Sequence, residues 1–413
     1  MARRSKNDNI IVGLDIGTTK ICSIVGELIE NRLEIIGVGT HPSTGLRKGV
    51  VVNIESTVES IKKSIEEAEL MAGCNITSVY TGIAGGHIKG LNSHGIIAIK
   101  SREVTPADVK RVIEAASAIS IPMDREVIHI LPQEFIIDDQ DGISNPVGMS
   151  GVRLEVKVHI VTGAVASAQN IIKCVNRTGV DVDDIVLEQL ASSKAVLSED
   201  EKELGVALLD IGGGTTDIAI FSGGSIKYTS VIALGGNHVT NDIAFGLRTP
   251  IADAEKIKVQ NGCSYAAMVG RDEMIEVPNI GTNKPRMIPK RVLAEIIEPR
   301  MQEIFSLANR EILKSGYEDL IAAGVVVTGG SSMVEGIPEL AEQVFEMSVR
   351  RGTPLNVGGL TDIVDNPMYA TGVGLVNYGW KHGDAGQGKF KNHENNIFSK
   401  VTQRMKQWIK EFF

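Results

Sequence analysis

Hydrophobic positions along the chain keep two different rhythms, and the switches between them outline its elements. An apolar run rich in β-branched residues at 10–16 predicts a buried strand, and strand-like segments at 21–28 and 32–40 extend it into a meander. "NIESTVESIKKSIEEAELMAG" then takes up a helical period. Ile54, Val58, Ile61, Ile65 and Leu70 are expected on one face, with Gly73 just past the end. "SVYTGIAG" returns to a strand. The plan then recurs: "VALLDIGGGTTDIAIF" and "SIKYTSVIAL" read as strands around the turn "SGG". Helices follow at 236–245, 251–260 and 289–315, and "GVVVTGGSSMVEGIPELAEQVF" reads as a buried strand, a glycine turn and a helix. A strand meander opening an α/β domain is thus used twice.

Between the two copies, 82–161 behaves differently. "GIIAIK", "EVIHILPQEFIID" and "VRLEVKVHIVTG" predict strands, and "TPADVKRVIEAASAI" predicts a helix capped by Thr105 with Pro106 at its first position. These elements make a small α+β insertion. After Trp380 the sequence "KHGDAGQGKFKNHENN" loses all periodicity and reads as a linker.

A chain of 413 residues calls for more than one core, and 43% hydrophobic with 23% charged residues is the balance of a soluble globular protein. The net charge of −9 argues against nucleic acid as a partner. Cys22, Cys74, Cys174 and Cys263 lie far apart and read as reduced core thiols. No stretch approaches the roughly 20 apolar residues that span a bilayer, so the body is expected in the cytoplasm.

The candidate chemistry lies in the repeated turn. "DIGTTK" begins at Asp15 and "DIGGGTTD" at Asp210. A turn of Gly and Thr offers backbone N–H groups and hydroxyls to an anion, and the Asp before it holds Mg²⁺ through water. Two such turns facing across a cleft would grip one polyphosphate from both sides. "ALGGNHVTNDIA" places Gly235 and Gly236 before a helix, where the dipole favours phosphate. Gly329 and Gly330 follow a buried strand, where the backbone can approach a base or ribose. Glu255 and Lys258 sit three apart on one helical face; alone they read equally as a solvated pair. Glu188 and Gln189 stand at a strand-to-helix junction, placed to orient water or to cap the helix.

Five segments in this order resemble the actin superfamily: phosphate 1 (15–20), connect 1 (188–197), phosphate 2 (210–217), adenosine (324–338) and connect 2 (370–374). "IHILPQEFIIDDQDGISNPVGMSGVRLEVKVHIVTG" and "CVNRTGVDVDDIVLEQLASSKAVL" resemble the bacterial cell-division protein FtsA family. That resemblance implies a duplicated actin-like α/β ATPase fold, two halves around a nucleotide cleft, with the FtsA-type α+β insert. It implies subdomain 1A at 1–81 and 162–200, the inserted subdomain 1C at 82–161, 2A at 201–231 and 297–380, and 2B at 232–296. The linker would be 381–395 and a C-terminal amphipathic helix 396–413. ATP and Mg²⁺ would bind with Asp15 and Asp210 on the metal side. Gly17, Thr18, Thr19, Lys20, Gly212, Gly213, Gly214, Thr215 and Gly236 would lie at the phosphates, with Gly235 beside them. Glu255, Lys258, Gly329, Gly330 and Ser331 would surround the nucleoside. Asp217 reads as a structural hairpin residue. Gln189 stands where many members have Pro, which leaves open which residue orients water; the resemblance implies at most a weak ATPase. The implied partners are the C-terminal peptide of FtsZ, with Lys290 or Arg300 as contacts in or beside 2B, other copies of the chain in filaments, and later division proteins. The alternative is a pilus-assembly ATPase like PilM or a small-molecule phosphotransferase.

The last segment adds a membrane. On a helix of about 100° per residue, Ile397, Phe398, Val401, Met405, Trp408, Ile409, Phe412 and Phe413 fall within an arc of about 160°. Lys400, Arg404, Lys406, Lys410 and Glu411 take the other side. This is the pattern of an interfacial helix on anionic lipid, and it implies a peripheral place on the inner face of the cell membrane at the division site.

Overall fold

A computed structural model of the chain describes residues 9–382 apart from 31, 280 and 281. Its framework is one sheet plan built twice. In the first half the antiparallel meander Ile10–Ile16, Lys20–Ile29 and Arg32–Pro42 is continued on the Ile10–Ile16 side by the strands Ser78–Ile83 and Asp181–Leu187. Ser78–Ile83 runs parallel to Ile10–Ile16, and Asp181–Leu187 parallel to Ser78–Ile83. In the second half the meander Val206–Ile211, Thr216–Ser222 and Ser225–Ile232 is continued in the same way by Val325–Thr328 and Val349–Arg351, again parallel. All six residues of Val206–Ile211 are buried, which explains its unbroken apolar run apart from Asp210.

The helix Ile54–Ala72 covers the first sheet. Asn53 caps it by accepting from the Ser56 amide, and Gly73 ends it at φ +63°. Ile61, Ile65 and Ala68 face the core, but Leu70 is 86% exposed. Nine residues from Ile61 is about 180° around the helix, so the expected place of Leu70 on the apolar face is corrected.

Between Ser78–Ile83 and Asp181–Leu187 the chain forms a second body. Its sheet runs in the order Lys89–Ala98, Arg153–Ala164, Arg125–Ile137, Gln140–Ile143, and the helix Pro106–Ser117 lies across it. Thr105 and Asp108 close a capping box at that helix, and Val109, Val112 and Ile113 pack on Phe135, Leu154, Val156 and Ile160. In the second half, Gly236–Leu247, Ile251–Asn261 and the hairpin Met274–Asn279/Thr282–Pro289 precede the long helix Lys290–Ser315. Phe305, fully buried at the centre of that core, meets Phe345 edge-on at 5.7 Å.

The last described helix, Ala370–His382, runs two residues past the expected start of the linker. The remainder of that linker and the helix expected at 396–413 lie outside the described residues. Among the described residues no helix is long and apolar enough to cross a membrane. Cys22, Cys174 and Cys263 are buried free thiols and Cys74 is half-buried.

Candidate nucleotide site

Asp15 and Asp210 hold equivalent places, each one residue before the end of its strand. The two turns close alike: the Gly17 amide donates to Lys20 O at 3.1 Å, and the Gly212 amide to Thr215 O at 3.0 Å. They stand against each other. A Cβ on Gly214 would lie 2.7 Å from Thr18 Oγ1, and one on Gly213 would strike the Thr19 hydroxyl. Thr19 Oγ1 donates to Asn237 Oδ1 at 3.2 Å. Among the described residues, the amides of Thr18, Thr19, Gly213 and Gly214 have no hydrogen-bond acceptor. Two Gly/Thr turns, one from each half, thus bring their backbone amides close together, an arrangement that suits an anion.

The Gly235–Gly236 segment packs against the second turn. The Gly236 and Asn237 amides donate to Gly212 O at 2.9 Å and Gly213 O at 2.8 Å, and the Gly235 amide to His238 Nδ1 at 3.2 Å. These amides brace the second turn. Ser331 Oγ joins them, donating to Gly212 O at 3.0 Å. Gly329 sits at φ +83° with its α-carbon against Asp210 and Ile211, where a side chain would be both strained and blocked. Gly330 opens outward, with only Met368 near.

Lys258 is buried. Its ammonium donates to Gly236 O at 3.2 Å, Thr240 Oγ1 at 2.9 Å and Glu255 Oε2 at 2.7 Å, so the pair with Glu255 is not a solvated surface pair. Lys20 reaches Asp15 Oδ2 at 3.4 Å and lies 5.4 Å over the Tyr369 ring.

Beneath the turns lies a group of acids. Thr371 Oγ1 donates to Asp210 Oδ2 at 3.1 Å. Burial, then the Asp15 charge, push the Asp210 carboxyl up to about 6. Asp217 pairs with Asp210 across the strands and is pushed up to about 8 by burial and then by Asp210. Its oxygens accept from Gln189 Nε2 at 2.9 Å and Thr215 Oγ1 at 3.0 Å, which makes it part of the cleft floor as well as a hairpin residue. Glu188, which opens the helix Glu188–Val196, is raised well above the ordinary carboxylate range by burial and then by Asp15, Asp217 and Asp210. Burial next to other acids raises all three.

A family described as "Cell division protein FtsA" matches residues 207–374, and one described as "SHS2 domain inserted in FTSA" matches 85–162. Cell division protein FtsA of Pseudomonas aeruginosa is 54% identical over 99% of both chains. That of Escherichia coli K12 is 44% identical over 98% of this chain and 97% of its own. The chain belongs to the FtsA family of cell-division proteins. Among solved structures, a PilM–PilN type IV pilus biogenesis complex aligns at TM-score 0.65 and 16% identity, over 89% of this chain and 98% of that one. MreB5 of Spiroplasma citri bound to ADP aligns at TM-score 0.55 and 16% identity, over 89% and 94%. Both establish the actin-like ATPase fold alone, so PilM is a relative of this FtsA chain in fold and the pilus reading has no further support.

Sequence reasoning passed over Thr371 and Asn237. Thr371 lay inside the segment 370–374, named as connect 2 without a role for any one residue, and Asn237 directly followed the two glycines taken as the phosphate contact. The cations suggested for FtsZ are both engaged: Lys290 with Glu273 at 3.1 Å and Glu335 at 3.2 Å, Arg300 with both oxygens of Asp242. Neither is a free charge awaiting a peptide.

Proposed function

We propose that this FtsA-family chain binds ATP–Mg²⁺ between its halves, polymerises, and tethers FtsZ filaments to the inner face of the cytoplasmic membrane while recruiting later division proteins. The observation that carries the nucleotide reading is the close approach of the two Gly/Thr turns, Thr18 and Thr19 against Gly214 and Gly213, each just after its aspartate, Asp15 or Asp210. Among the described residues no three His, Cys, Asp or Glu side chains are close enough to cage a metal. The acids therefore fit an Mg²⁺ held mainly by phosphate oxygens and water, with Asp15 and Asp210 beyond the water. Such an ion neutralises phosphate charge when bound. The residues of the chain orient the phosphates and hold Glu188 and Gln189 next to the cleft floor.

The membrane part of this reading rests on the amphipathic pattern at 397–413, and the FtsZ contact at 232–296 rests on the family. Anionic liposomes floated with the chain and FtsZ, with and without ATP, test the whole. FtsZ should float only when the chain is present. FtsZ that stays at the bottom of the gradient beside floated chain would overturn the tether.

A further inference from the structure

The insert is continuous in sequence with the first half, yet a polar cluster around the buried His159 ties it to the second. His159 is 1% exposed, with Nδ1 2.6 Å from Asn92 Oδ1 and Nε2 2.8 Å from Thr229 Oγ1. An amide oxygen only accepts, so Nδ1 carries the proton and Nε2 accepts from Thr229. Asn92 Nδ2 donates to Lys227 O at 3.1 Å, and Gln133 Nε2 donates to Ile226 O at 2.8 Å. These carbonyls belong to Ser225–Ile232, the edge strand of the second sheet. Two amide side chains of the insert thus stand where another strand would pair. At Gly90 a side chain would strike the Thr229 hydroxyl, so the approach is close.

The same strand reaches the cleft at its other end. Ser230 O lies 3.4 Å from Gln189 Nε2, the nitrogen that also donates to Asp217 Oδ1 at 2.9 Å. Gln189 is fully buried, and its Oε1 has no partner. Its place is therefore fixed by the two acceptors of the second half, and a movement of Asp217 is felt at Ser230. Val231, the next residue, pairs directly with Asp217.

We propose that the strand Ser225–Ile232 couples the nucleotide cleft to the insert, fastened by Gln189 at Ser230 and by Gln133, Asn92 and His159 at Ile226, Lys227 and Thr229. This rests on the nucleotide reading of the cleft. Coupling between two sites is reciprocal: if nucleotide shifts the hold on the insert, loosening the insert must shift nucleotide affinity by the same factor.

Two variants far from the phosphate turns test it in the full chain. Thr229→Val keeps the shape but removes the donor to His159, and Asn92→Ala cuts the contacts to Lys227 and His159 from a solvent-facing position. Titration with a fluorescent ATP analogue should show affinity changed by about fivefold or more in either variant, the lower end of ordinary coupling. Hydrogen exchange at 89–98 and 153–164 should respond to ATP in the parent and lose that response in Asn92→Ala. A parent that binds ATP, variants that bind within twofold of it, and insert exchange indifferent to ATP would overturn the coupling while leaving the cleft reading intact. A parent that binds no nucleotide would overturn both.

Discussion

Thr371 Oγ1 donates to Asp210 Oδ2 over 3.1 Å, so the last described helix steadies the carboxylate of the second turn. Asp210 is fixed from a third direction, beyond its own strand and Gly329. A group so placed should act on a bound metal–phosphate as a unit with Asp15. Asp210→Ala is expected to weaken ATP binding at least tenfold, about 1.4 kcal/mol. Gly213→Glu should do at least as much, because its side chain would displace Thr19 and bring negative charge to the anion site. A fluorescent-nucleotide titration checks both, and unchanged affinity in the two variants would move the site elsewhere.

The buried acids give the nucleotide-free protein a signed pH dependence. Asp210, near 6, and Asp217, near 8, bind protons in the fold that the unfolded chain has already released. Their contribution is complete below the ordinary carboxylate value of about 4 and is lost as pH rises through the folded values. His159 and His382 act in the opposite sense. Burial lowers each to about 4, so they add stability as pH rises from there to about 6.5, the ordinary imidazole value. Above that window the acids decide, and Tm in metal-free buffer should fall between about pH 6.5 and 8.5. Asp217→Asn should flatten the fall. A Tm that rises over this range in the parent would contradict the assignment.

Hydrolysis by the isolated chain should be slow. Burial and three neighbouring acids push the Glu188 carboxyl well above the ordinary carboxylate range, and Gln189 is turned toward Asp217 and Ser230. Gln189 is an amide and supplies no base, and its donor nitrogen is already engaged by two acceptors of the second half, so it does not reach out to orient water in this arrangement. Phosphate release without partners should fall well below the enzyme median of roughly 10 s⁻¹, and a turnover near that value would refute the prediction.

The repeated turn was readable in the sequence because the same residue types recur at the same strand ends, and hydrophobic rhythm placed the strands around it. Periodicity failed where a single residue broke it, as Leu70 did, half a turn out of phase. It had no way to reveal the docking of the insert. Asn92, Gln133 and His159 come from three strands, meet Ile226, Lys227 and Thr229 on a fourth, and follow no spacing rule. The burial of Lys258 was hidden for a similar reason, since its partner Gly236 O lies 22 residues away on another helix. Polar contacts between distant segments leave no period to read.

The FtsZ contact proposed at 232–296 should depend on the C-terminal peptide of FtsZ, with shape and apolar contact outweighing Lys290 and Arg300. Both cations already hold acidic partners within the chain. Co-pelleting should therefore lose binding when the peptide is deleted from FtsZ and keep most of it in Lys290→Ala. Full binding without the peptide would place the contact on another surface.

The segment 397–413 is expected to act as the membrane anchor. On a helix, eight apolar side chains, including Phe398, Trp408, Phe412 and Phe413, would share one arc, and Lys400, Arg404, Lys406 and Lys410 would take the other side. Each cation near an anionic surface adds about 1 kcal/mol, and ordering the helix offsets part of the total. One tail should thus bind reversibly, and a polymer far more firmly because its tails are linked. Trp408→Glu puts a charge inside the apolar arc and should release the chain from vesicles while ATP binding stays intact. Flotation on anionic liposomes of the full chain, the Trp408→Glu variant and a truncation after Asn395 decides the matter. The first should float and the other two should not; equal flotation of all three would show that the anchor lies elsewhere in the chain.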